Sequence, residues 1–179
     1  MLGAAAGRLS AAQLDILEIP GATLADNPLG FPGHAYVVWR NSPDDRPIQA
    51  ESVGYITQHY SDQFISPLVS VPGQLCCAPA QFEPSNLERL TVLVDSQTYQ
   101  ATLEARKKWN TAKFKAAQHD CLSFTTYIAR TAGLVIPEYR CLYPQDQLCQ
   151  LKQLNPQNVS CRPAGPYAFP RPVDCDHDP

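Results

Sequence analysis

Apolar and polar residues alternate well enough from Gln13 to Ile19 to predict a strand, closed by Pro20-Gly21. Ala35 to Trp39 is a short apolar run, and Ile48 to Tyr55 is a second candidate strand. The segment between them, Asn41-Ser42-Pro43-Asp44-Asp45-Arg46-Pro47, has the composition of a hairpin loop. Phe64 to Val71 and Leu90 to Val94 are further strand candidates, the latter β-branched and alternating.

Helical spacing takes over after Ser96, a suitable N-cap, and continues to about Thr111 with Ala101, Ala105, Trp109 and Ala112 on one stripe. A second helix is predicted from Asp120 or Cys121 to Gly133, with Pro137 beyond its end. Its positions 121, 124, 125, 128, 129 and 132 (Cys, Phe, Thr, Ile, Ala, Ala) share one face, which must pack on a sheet. From Tyr139 onward the prolines at 144, 156, 163, 166, 170 and 172 predict an irregular extension without long regular elements. No repeat and no flexible linker interrupts the chain, so the expectation is one α+β domain over residues 1–179 with a Pro- and Cys-rich C-terminal extension from about 139.

Composition narrows the function classes. The chain has 179 residues, 44% hydrophobic and 17% charged, with a net charge of −3 and no basic stripe, which disfavours nucleic-acid binding. No apolar run is long enough to span a bilayer, so no stable membrane anchor is expected. The N-terminal Met1-Leu2-Gly3-Ala4-Ala5-Ala6-Gly7 lacks a basic region ahead of its small apolar residues and does not read as a secretory signal.

Of seven cysteines, Cys76, Cys77, Cys141, Cys149, Cys161 and Cys175 fall in polar, Pro-rich segments, whereas Cys121 opens a helix. That count suits one free thiol plus up to three disulfides, with at least one tying the extension to the body. Such bonds imply an oxidising compartment, the alternative being a reduced cytosolic protein with seven thiols. No C-x-x-C pair is present, so neither structural zinc nor any other metal or cofactor is expected.

At a helix N-terminus, Cys121 meets unpaired backbone N–H groups and the positive end of the helix dipole, which favour a thiolate and could hold an oxyanion. A buried structural cysteine in a helix first turn is the plain alternative. Of four histidines, His119 sits too close in sequence to turn toward Cys121, His177 lies in the terminal tail and His59 in a polar loop. His34 follows Pro32-Gly33 and opens a buried run, so it is either a catalytic base or a core residue with satisfied partners. On the following strand Gln49 and Glu51 share a face, and either could reach the second imidazole nitrogen. The carboxylate of Glu51 is preferred because it would stabilise the imidazolium, with Gln49 as the second candidate. A solvated strand residue is the plain alternative for Glu51.

The stretch Gly33-His34-Ala35-Tyr36-Val37-Val38-Trp39 followed by Gln49-Ala50-Glu51 resembles the His strand and polar-residue strand of NlpC-type cell-wall hydrolases. His119-Asp120-Cys121-Leu122-Ser123-Phe124 through Ala132-Gly133-Leu134 resembles their Asp-Cys-x-x-Phe nucleophile helix. His34 precedes Cys121, the circularly permuted order found also in lecithin retinol acyltransferase-like proteins. The resemblance covers about residues 30–55 and 95–137. It implies a papain-like fold, an antiparallel sheet packed against helices, with Cys121 as nucleophile, His34 as base and Glu51 (or Gln49) as the orienting residue.

It further implies amide chemistry through an acyl-enzyme, on peptidoglycan stem peptides. A missing leader beside disulfide-forming cysteines suits a specialised secretion route into a rival's periplasm, which would bring a cognate immunity protein as partner. Two other readings stay open: a lipid acyl hydrolase or acyltransferase of the permuted type, and a non-catalytic binding domain of the same fold.

Overall fold

Alternation along the N-terminal half builds hairpins, and the computed structural model, which describes residues 12–20, 33–41, 49–59, 61–79 and 89–158, shows where they pair. Strands β1 (Ala12–Pro20), β2 (Gly33–Asn41) and β3 (Gln49–Thr57) follow one another antiparallel, and β4 (Val71–Pro79) continues the meander. β5 (Arg89–Val94) returns to the outside of β1, and the two-residue β6 (Lys113–Phe114) closes the far edge beside β4. The result is an antiparallel sheet of six strands in the order β5-β1-β2-β3-β4-β6. With the helices below, the class is α+β, as the patterning predicts. The N-terminal residues 1–11 and the loop 42–48 lie outside the described residues.

One face of the sheet carries the main core. Leu14, Ile16, Val37, Trp39, Val53, Tyr55, Leu90 and Val92 meet Phe124, Ile128, Leu148 and Leu151 from the helices. Leu17, Tyr36 and Val38 form a smaller buried cluster on the opposite face. The strand over Gln13–Ile19 is therefore buried on both sides at its centre, and even Asp15 is fully buried, bonded to Arg40, Thr91 and Gln13.

The segment 64–71 departs from the strand expected there. Asp62–Ile65 forms a short helix, α1, followed by a turn, and the strand begins only at Val71. Ser66 N–H bonds back to Asp62 and Val69 N–H to Ile65, while Pro67 has no N–H to give a ladder. Cys76 and Cys77, in a segment read only as polar and Pro-rich, lie in β4.

Helix α2 (Ser96–Lys107) starts at the residue expected to cap it: Asp95, one residue earlier, is the N-cap and accepts the N–H of Thr98 at 2.7 Å. Its inner stripe is Tyr99, Thr102 and Ala105, leading to Trp109, and Ala101 is exposed. A polar anchor sets this rotation. Trp39 Nε1 donates to Thr102 Oγ1 at 2.9 Å, and that hydroxyl donates to the Tyr99 carbonyl at 2.7 Å.

Helix α3 (Cys121–Thr131) has the predicted buried face, Phe124, Thr125, Ile128 and Ala129, and Gly133 follows it at φ 83°. The expectation of an irregular chain after Tyr139 is overturned. Pro144–Leu154 is an eleven-residue helix, α4, with proline at its first turn, where the missing N–H costs nothing. Leu148 and Leu151 anchor it in the core, and Asn155 pins its end to both backbone groups of Val135. Residues from 159, including Cys161 and Cys175, lie outside the described residues.

Candidate functional site

Asp120 fixes the position of Cys121. As N-cap of α3 it accepts the N–H groups of Leu122 and Ser123, and its other oxygen takes the N–H of Ala117. Arg140 holds the same carboxylate with its Nη2 and donates to Ser123 Oγ through Nη1 at 2.6 Å. The first residue after this cap is Cys121, whose thiol meets the backbone N–H of Ala35 on β2.

His34 is the neighbour of Ala35, at the end of β2 where the pairing with β3 stops at Tyr36↔Gly54. Its ring lies nearly parallel to that of Tyr36, centroids 6.3 Å apart, and covers Gly54: a Cβ there would stand 2.3 Å from Nε2. Cys121 and His34 are thus brought to the same end of one strand, and Asp120 is close enough to act on the charge of His34.

Glu51 is not brought there. It pairs with Trp39, on the helix side of β3, and its carboxylate takes Arg106 Nη1 at 2.7 Å. Continuing the register two steps beyond Tyr36↔Gly54 sets His34 level with Ile56. That is five residues from Glu51, about 16 Å along a strand and on the opposite face. Gln49 pairs with Asn41 at the far end of the hairpin, and its side chain lies outside the described residues. The expected orienting role of Glu51 fails because the hairpin is longer than the loop composition suggests. Arg106, stacked over Trp39 with its guanidinium carbon 5.3 Å from the ring centroid, is the real partner of Glu51. Accordingly, Glu51→Gln is expected to leave any thiol-dependent rate within about twofold and to lower stability by less than about 1 kcal/mol. Parallel activity and urea-unfolding measurements check both.

Burial dominates the electrostatics. It lowers His34 from 6.5 to about 4, with Asp120 pulling the other way. Burial likewise raises Cys121 from 9.0 to about 11, helped by Asp120 and opposed by the N–H groups of Ala35 and Leu122 and by Arg140. The resting pair is therefore a neutral thiol and a neutral imidazole, not the thiolate expected from the helix terminus alone.

Stability should follow from these shifts. The neutral His34 contributes fully above about pH 6.5, and its contribution is lost as pH falls toward 4, on the order of 3 kcal/mol in all. The neutral Cys121 contributes fully below about pH 9 and loses its share as pH rises toward 11. Urea unfolding from pH 4 to 11 is expected to give a plateau with both flanks. His34→Ala should flatten the acid flank alone.

The cap also revises the oxyanion expectation. The Leu122 and Ser123 N–H groups already serve Asp120, which leaves the N–H of Cys121 itself as the first-turn donor outside these bonds. Arg140, which lies in the segment read as irregular, completes the cap; a lone arginine in such a stretch gave no sequence signal. Gly54 did give one: an isolated glycine within a strand pattern marks a close approach, here of the His34 ring.

His119 turns away, as its sequence position suggests, stacking on Trp109 at 4.2 Å with Nδ1 at the Lys113 carbonyl. His59 is exposed, and His177 lies outside the described residues. A groove of about 430 Å³ runs along α3 past Leu122, Thr126, Tyr127 and Arg130, opposite the side that bears Cys121. Cys76, Cys121 and Cys141 are free thiols, and Cys76, exposed and level with Gly54, lies on the His34 face of the sheet. Cys149 is engaged rather than free. Among the described residues no group of three or more His, Cys, Asp or Glu could hold a metal ion.

Compared with protein-family models, with curated proteins and with solved structures, the chain matches none.

Proposed function

We propose that this chain is a cysteine hydrolase of circularly permuted papain-like architecture, with Cys121 as nucleophile and His34 as base. The observation that carries this reading is the placement of the Cys121 thiol at the start of α3, against the N–H of Ala35, the residue next to His34. A neutral imidazole is the form that accepts a proton. As sulfur attacks a carbonyl carbon, the thiol proton passes to His34. His34 then delivers it to the departing amine, leaving a thioester on Cys121. Water, deprotonated by His34, releases the acid and restores the thiol. The N–H of Cys121, left over by the cap bonds, is the first-turn donor for the developing oxyanion.

For the substrate, the Asp-Cys-x-x-Phe helix and Gly-His strand favour an amide of peptidoglycan stem peptides, cleaved in a target periplasm after specialised secretion, with an immunity protein as cognate partner. A lipid acyl ester is the second reading, favoured by the exposed apolar turn Phe64–Val69 near the cap of α3. Mass spectrometry of purified sacculi after incubation tests the first. New amide-cleaved muropeptides with the native chain, absent with Cys121→Ala, are expected. Unchanged sacculi with release of fatty acid from phospholipid would shift the assignment to the second.

A further inference from the structure

The turn after α1 presents its apolar side chains to solvent. Phe64 is 67% exposed, Ile65 47%, Leu68 80% and Val69 51%, all within six residues. This is a fixed shape. Ser66 is buried with its hydroxyl on the Gln63 carbonyl, and the N–H groups of Leu68 and Val69 both bond to Ile65. The turn is also joined to the site, because the Ser66 carbonyl accepts the N–H of Ala116, and Ala117 donates to Asp120, the cap of α3.

Cations flank it. Lys113 is exposed on β6 opposite Pro72, and Lys115 is the immediate neighbour of Ala116. Asp62 is the acidic residue of α1 itself. Four such side chains expose on the order of 400 Å², about half of what one partner of a stable protein interface buries. A lipid surface needs less: shallow insertion of a few large apolar groups beside lysines suffices, with the lysines meeting anionic headgroups. No helix among the described residues is long and apolar enough to cross a membrane, so contact of this kind would be peripheral.

We propose that the Phe64–Val69 turn, with Lys113 and Lys115, docks this chain on an anionic lipid surface. The docked molecule presents the Cys121 end of the sheet to that surface. Docking does not depend on catalysis, so it can stand or fall separately from the hydrolase reading.

Co-sedimentation with vesicles tests it, using phosphatidylcholine alone and phosphatidylcholine with about one-third phosphatidylglycerol. The Cys121→Ala chain should bind the anionic vesicles like the native one. Preference for them over neutral vesicles should reach about 25-fold at low salt, from about fivefold per lysine, and fall as salt rises. Lys113→Gln with Lys115→Gln should remove most of that preference. Phe64→Asp with Leu68→Asp should abolish binding, whereas Leu142→Asp, at a 70% exposed leucine between α3 and α4, should not. Failure of the native chain to sediment with anionic vesicles would overturn the proposal. So would a native dimer that the Phe64→Asp/Leu68→Asp pair dissociates, since a second copy would then cover the turn.

Discussion

Gly54→Ala is expected to reduce the hydrolytic rate by at least about 100-fold while leaving a folded protein. The added Cβ would stand 2.3 Å from His34 Nε2, 3.2 Å from Cε1 and 3.3 Å from Cδ2, so the whole imidazole must move. The three atoms nearest that Cβ all belong to the His34 ring, and alanine is otherwise no worse than glycine in a strand. The displaced base is thus the source of the loss. A double-mutant cycle isolates it: whatever stability Gly54→Ala costs should largely vanish in a His34→Ala background, where the space is free. Equal costs in both backgrounds, by urea unfolding, would mean that the ring does not rest on Gly54.

Cys121→Ala is expected to remove activity altogether, a loss of about 1000-fold or more, with little change in stability at neutral pH. The thiol is partly buried in a first turn whose geometry is set by Asp120, through bonds that alanine leaves intact. A melting curve beside the rate measurement distinguishes lost chemistry from lost fold. Cys76→Ala is the control, because that thiol lies on the His34 side of the sheet. It should leave the rate within about twofold.

Strands over Gln13–Ile19, Ala35–Trp39, Ile48–Tyr55 and Leu90–Val94 were legible because their apolar residues face a core, and the face of α3 because its period is helical. The run Phe64–Val71 misled because exposed apolar residues look like buried ones; only Pro67 argued against a strand. Helix α4 was hidden by the prolines in and after it, although Pro144 stands at the one turn where proline is harmless. At the site, the Asp-Cys cap and the Gly-His strand start carried enough local chemistry to place Cys121 and His34 at one end of β2. Glu51 did not follow, since choosing it required the hairpin register, which parity alone leaves open by whole turns of the pleat. Nor could the sequence give the sign of the Cys121 shift. A helix N-terminus favours thiolate, but burial beside Asp120 outweighs it.

Trapping the acyl-enzyme tests the central claim most directly. The native chain would be mixed with stem peptide, quenched in acid within the first turnover, digested and mapped by mass spectrometry. An acyl adduct is expected on the fragment containing Cys121, absent in Cys121→Ala and in the His34→Ala chain at the same time point. An adduct on Cys76 or Cys141 instead, or product formed with no adduct on any of the three free thiols among the described residues, would contradict the assignment of Cys121 as nucleophile.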